Sequence, residues 1–160
     1  MVFAAILAAS LVVVTFMFHY FVLRWLSGRM AQIAMTAGVR IVVIVFIALA
    51  AHLVEVGFYA SAYALGDRVL AVGSFGGLAV TEPLDYFYFS IVSYTSLGLG
   101  DVFPNEHLRF ITGVEALNGL LLITWSGSFI YIAMERLWPW QPCAVPRGRF
   151  GSAADRPANS

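Results

Sequence analysis

Polar residues are so sparse in this chain that their positions mark out its elements. Apolar residues run almost unbroken from Val2 through Val22, again from Ile41 to Leu65, and again from Leu108 to Leu137. As helices rising 1.5 Å per residue, all three are long enough for the roughly 30 Å hydrocarbon core of a bilayer. Between the second and third runs the pattern changes. Residues 66–82 mix four glycines with polar groups and read as a loop. Pro83 then suits the first turn of a helix, with Thr81 or Glu82 as its cap and Glu82 and Asp85 at its positive end. This helix, Pro83 to Tyr94, is about 18 Å long and cannot cross. It ends in the polar run Thr95-Ser96-Leu97-Gly98-Leu99-Gly100-Asp101. A short apolar helix followed by irregular backbone reads as a re-entrant segment, because bare backbone at membrane depth survives only in protein or beside a water-filled cavity. The pattern predicts an all-α membrane protein: three transmembrane helices, one re-entrant helix and its loop.

Composition agrees. Of 160 residues 61% are hydrophobic and 11% charged, and mean hydropathy is +0.84, more apolar surface than a water-soluble domain of this size can hide. The lipid bilayer is therefore the expected solvent. The first apolar run lacks a basic segment before it, so it is read as a span and not as a cleaved signal. Net charge is zero, and all nine basic residues are arginines. Arg24, Arg29 and Arg40 flank the first loop, and Arg136, Arg147, Arg149 and Arg156 follow the third span. By the bias of basic residues to the cytoplasmic side, the N-terminus is expected outside and the C-terminus in the cytoplasm of a cell membrane. Trp138 and Trp140 suit the interface at the end of the third span. Residues 141–160, rich in Pro, Gly, Ala, Ser and Arg, are expected to be disordered. No basic patch points to nucleic acid. The single cysteine, Cys143, excludes an intrachain disulfide.

The candidate chemistry lies in the polar positions. Gly98 and Gly100 allow dihedrals that residues with a Cβ avoid, and their alternation with ordinary residues can turn successive carbonyls to one side. A row of carbonyls can replace the water shell of a cation. In the second span His52 and Glu55 sit three residues apart, on one helical face. An ionisable pair in lipid is costly and should face protein or water. Two readings stay open: a pair that pins helix packing, or a proton-sensitive element touching the pore. Glu115 lies at a similar depth in the third span, so a buried cluster of His52, Glu55 and Glu115 is expected. His-x-x-Glu is half of a zinc pattern, but no second histidine follows at ligand spacing, so no metal is expected there. His19, near the inner end of the first span, is expected at the interface. No cofactor is implied, and no nucleophile stands beside a base, so no enzyme is expected.

Residues 85–136 resemble the pore module of potassium channels in the two-helix pore-loop superfamily. That family carries T-T-V-G-Y-G-D after an aromatic pore helix. Here the filter stretch is Thr95 to Asp101, with Tyr88-Phe89 as the aromatic pair and Pro104 as the proline that follows. Gly119 falls at the inner-helix hinge glycine. The resemblance implies a homotetrameric pore. The carbonyls of Ser96, Leu97, Gly98 and Leu99, with the Ser96 hydroxyl, would bind dehydrated K⁺ as the permeant ion. Glu82, Asp85, Asp101 and Glu106 would add negative charge at the outer mouth. The chain then divides into a helix and loop at 1–40, a pore domain at 41–137 and a tail at 138–160. Within the pore domain lie outer helix 41–65, turret 66–82, pore helix 83–94, filter 95–101 and inner helix 108–137. Ser96 stands where the family has threonine. Leu99 replaces the tyrosine that braces the family filter by a hydrogen bond, leaving packing against Tyr88 or Phe89 as its brace. With Gly119 as hinge, Leu120, Ile123, Thr124, Gly127 and Tyr131 share a face that would line the lower pore. The resemblance favours a potassium-selective cation channel. A weakly selective channel for Na⁺ and K⁺ and a non-conducting anchor or assembly subunit are the alternatives.

Overall fold

A computed structural model describes residues 2–30, 33–70 and 72–137. Its elements are α1 (Val2–Met30), α2 (Ala37–Arg68), β1 (Phe75–Gly77), α3 (Pro83–Tyr94), β2 (Val102–Pro104) and α4 (Leu108–Leu137). Helices α1, α2 and α4 are long and apolar enough to cross a membrane. They are apolar nearly all round, as spans are when protein covers one side and lipid the other. Trp138, Trp140, Cys143 and the tail expected to be disordered lie outside the described residues.

The three long helices pack on one another and α3 packs on α2 and α4. Small residues on α1, Ala4 and Ala8, bring it close to the bundle, and both are buried. The main core gathers Leu11, Tyr59, Tyr63, Tyr86, Phe89, Leu108 and Ile111 in the half of the bundle that holds α3 and the ladder. A smaller cluster of Leu23, Leu26 and Ile44, backed by Phe129 and Ile130, joins the other ends.

The segments on either side of α3 hold a short ladder that hydrophobic patterning does not reveal in three-residue strands. β1 pairs antiparallel with β2 in the register Phe75↔Pro104, Gly76↔Phe103 and Gly77↔Val102. Phe75 plugs this ladder into the core, with ring centroids 4.9 Å from Phe89 and 5.7 Å from Tyr86. The end of α2 is tied to the start of α3. The Tyr86 hydroxyl donates to Asp67 at 2.5 Å, and Arg68 donates to the Tyr86 hydroxyl at 3.2 Å and to the Thr81 carbonyl.

Candidate functional site

The site begins with the start of α3. Asp85 reaches back and accepts from the backbone N–H of Glu82 and of Thr81, each at 2.8 Å, satisfying donors that a helix start leaves open. Those two backbone bonds, Glu82 first, hold its carboxyl below the usual carboxylate range. Pro83 at the first turn has no N–H to satisfy. At the other end Thr95 closes the helix, its hydroxyl donating to the Ile91 carbonyl at 2.7 Å. The N–H of Ser96 donates to Ser93 at 2.9 Å and that of Leu97 to Val92 at 2.9 Å, so the chain leaves the helix without a break in hydrogen bonding.

Beyond this point backbone handedness alternates. Ser96, Gly98 and Gly100 have φ of 56°, 60° and 79°, while Leu97 and Leu99 between them stay out of the left-handed region. Left-handed dihedrals are costly for a residue with a Cβ, so Ser96 is strained where the two glycines are not. Leu97 and Leu99 are 62% and 58% exposed in the single chain, so most of each residue is left uncovered within it.

The outer end of this segment is fixed by Asp101. Tyr88 donates to its carboxylate at 2.6 Å, and the Val102 N–H donates to the other oxygen at 3.0 Å. The Tyr88 bond is the main reason that the Asp101 carboxyl lies below its ordinary range. The Asp101 carbonyl also accepts from the N–H of Leu78 at 2.8 Å, and β2 follows directly. The expected brace by Leu99 packing is therefore corrected. The tie to α3 is a hydrogen bond two residues further on, because the Tyr88 hydroxyl reaches past Leu99 to Asp101.

On α4, Leu120, Ile123, Thr124, Gly127 and Tyr131 are all exposed on the side left open by the other helices. Gly119 is different. It is buried, and α4 runs through it without interruption. A Cβ there would overlap the Tyr94 carbonyl oxygen and stand 2.9 Å from its carbon. The glycine lets α4 touch the last turn of α3, immediately below the alternating segment.

Behind that contact lies a buried polar assembly. Glu55 is fully buried. One of its oxygens is 2.8 Å from His19 Nδ1, and the other is 3.0 Å from His52 Nδ1 and accepts from the Tyr94 hydroxyl at 2.5 Å. The two imidazole rings stack with centroids 5.1 Å apart. Their Nε2 atoms both lie 3.1 Å from the Ser126 hydroxyl. Glu115 occupies a second group, accepting from Tyr63 and from Ser90 at 2.5 Å each. A third joins Asn118 to Thr15 at 2.8 Å and Tyr59 at 3.1 Å. The structure thus brings His52 and Glu55 together and gives Glu115 a separate set of partners.

The expectation for His19 is corrected. Its side chain is fully buried, not interfacial, because α1 turns it toward α2. The buried positions of α1, Ala4, Ala8, Leu11, Thr15, His19, Leu23 and Leu26, recur at three- and four-residue spacing. A helix face of small and polar residues was therefore the available signal. Tyr94 and Ser126 were also missed. Nothing in their local sequence separates them from packing residues.

One group of side chains could hold a metal ion: the donor atoms of His19, His52 and Glu55 all lie within 4.8 Å of one another.

The family model described as "Ion channel" matches residues 41–136, which take in most of α2, then β1, α3, the alternating segment, β2 and nearly all of α4. No curated protein and no solved structure matches the chain.

Proposed function

The chain belongs to the ion channel family, and from that premise we propose that four copies form a potassium-selective channel with residues 95–101 as the filter. One observation carries the reading: left-handed backbone at Ser96, Gly98 and Gly100 alternates with ordinary backbone at Leu97 and Leu99. Such alternation can turn carbonyls to a common side, and four copies would stack them into rings. The carbonyls of Ser96, Leu97, Gly98 and Leu99 would then replace the hydration shell of K⁺, several rings in file allowing ions to displace one another. Tetramerisation would also cover the exposed Leu97 and Leu99 and set Leu120, Ile123, Thr124, Gly127 and Tyr131 around the path below. The C-terminal end of α3 would present partial negative charge toward that path. Asp101, held ionised by Tyr88 and Val102, would concentrate cations at the mouth. In this reading the N-terminus lies outside and the C-terminus in the cytoplasm, supported by the arginines between α1 and α2.

The test is flux from the purified protein in liposomes under K⁺ or Na⁺ gradients. K⁺ flux well above Na⁺ flux, lost in Gly98→Ala and Gly100→Ala, is the expected result. Equal flux of both ions would favour a weakly selective pore, a reading that Leu99 in the aromatic position supports. Flux indifferent to both glycine variants would remove the filter assignment.

A further inference from the structure

We propose that His19, His52, Glu55 and the Tyr94 hydroxyl form a binding site for a divalent transition-metal ion of the zinc type, between α1 and the root of the filter segment. The donor set is two imidazoles, a carboxylate and a phenol, which suits borderline ions of the zinc kind; magnesium and calcium favour oxygen donors alone. Both Nδ1 atoms converge on one carboxylate, at 2.8 and 3.0 Å. Tyr94 completes the group, 2.9 Å from His52 Nδ1 and 2.5 Å from Glu55. His19 Nδ1 sits against one oxygen of Glu55 and His52 Nδ1 and Tyr94 against the other, and the imidazole and carboxylate donors all lie within 4.8 Å of one another. Zinc held at about 2.0–2.1 Å needs its ligands roughly 3.3 Å apart, so the closest pairs part by less than about 1 Å and the widest close by at most about 1.5 Å.

The far side of the two rings makes the stronger case. Both Nε2 atoms meet the same Ser126 hydroxyl, at 3.1 Å each. Metal-bound imidazoles commonly donate their second nitrogen to a fixed group that orients the ring. With Nδ1 on the ion, both Nε2–H groups donate, and one hydroxyl oxygen has two lone pairs to accept them. Without an ion the same contacts are served only when the two rings take opposite tautomers: His52 donates Nε2–H to Ser126, Ser126 donates to His19 Nε2, and Tyr94 faces His52 Nδ1 at 2.9 Å. Ion binding instead sets both rings in one tautomer, with both Nδ1 atoms free to ligate.

Charge also closes. Each imidazole proton moves from Nδ1 to Nε2, and the Tyr94 proton leaves to solvent. Glu55 carboxylate and Tyr94 phenolate then cancel the two charges of the ion, leaving a neutral complex at a depth where net charge is costly. His-x-x-Glu on α2 is half of such a site, and α1 supplies the second histidine from 33 positions earlier, His19 against His52.

The experiment needs no flux, so it stands or falls apart from the channel reading. Full-length protein in detergent is stripped with a chelator and titrated with Co²⁺, then Zn²⁺. The expected result is one ion per chain, a Co²⁺ visible spectrum of a four-coordinate site that Zn²⁺ abolishes and Mg²⁺ does not, and about one proton released per ion. Ser126→Ala, which keeps every ligand, should weaken Zn²⁺ binding by roughly 10–100-fold. His19→Ala and His52→Ala should abolish the spectrum. No stoichiometric Co²⁺ binding by the wild type would overturn the proposal and leave the cluster a hydrogen-bonded proton site. A spectrum retained in folded His19→Ala and His52→Ala would overturn it too, by placing the ion elsewhere.

Discussion

Gly119→Ala tests how α4 meets the C-terminal end of α3. The new Cβ would overlap the Tyr94 carbonyl oxygen, with the carbonyl carbon 2.9 Å away and the ring Cδ1 3.0 Å away. Overpacking of a well-filled site costs about 1–3 kcal/mol. The upper end applies, because the obstacle is main chain at the end of α3 and cannot swing aside as a side-chain tip can. Replacing a helical glycine by alanine recovers about 0.5–1 kcal/mol. The net expectation is a destabilisation of about 2 kcal/mol. Gly113 is the control: it lies on the same helix, is exposed, and has nothing within 4 Å of its would-be Cβ. Gly113→Ala should keep only the gain, so the two variants should move in opposite directions, separated by roughly 3 kcal/mol. Denaturant unfolding in detergent micelles, followed by tryptophan fluorescence, measures this directly. If both alanines shift the midpoint alike, the close approach to Tyr94 is not what keeps residue 119 a glycine. A Gly119→Ala protein with unchanged unfolding but altered channel opening would support the hinge role instead.

Tyr88→Phe removes the hydroxyl that fixes Asp101, and a lower K⁺/Na⁺ flux ratio in liposomes is expected. The same pair sets an acid limit. The Asp101 carboxyl is depressed in the folded chain, so its bond to Tyr88 holds above the ordinary carboxylate range and is lost only as pH falls through the depressed value. In flux measured from pH 7 downward, Tyr88→Phe should fail at a higher pH than wild type; coincident profiles would contradict this. Tyr63→Phe takes one donor from buried Glu115 and leaves Ser90, so unfolding should ease by about 1–3 kcal/mol. An unchanged midpoint would show that the Tyr63 bond contributes little.

Local features were legible in the sequence because their causes are local. Three unbroken apolar runs define three spans, and Pro83 with Asp85 marks a helix start. Alternating glycines announce unusual backbone wherever they occur. The features that escaped depend on partners far along the chain. His19 is 36 residues from Glu55 and on another helix, so no spacing rule could join it to His-x-x-Glu. The role of Gly119 is set by a carbonyl 25 positions earlier, Tyr94 against Gly119. The β1–β2 ladder is too short to carry a pattern, and its register rests on Phe75 finding a socket among Tyr63, Tyr86 and Phe89. Hydrophobicity was least informative within the spans, since lipid and protein neighbours select similar residues there.

The burial of His19 has a consequence for how this chain can be cut or recombined. The family match begins at residue 41, yet Glu55 inside it takes one contact from residue 19 outside it. Thr15 likewise serves Asn118. A fragment trimmed to the matched region would expose a carboxylate and an amide to hydrocarbon on the face that α1 had covered. The smallest autonomous unit therefore begins before Thr15. A chimera that carries residues 41–136 into another membrane protein must bring the first helix too, or replace Glu55 and Asn118 with apolar residues in the same step.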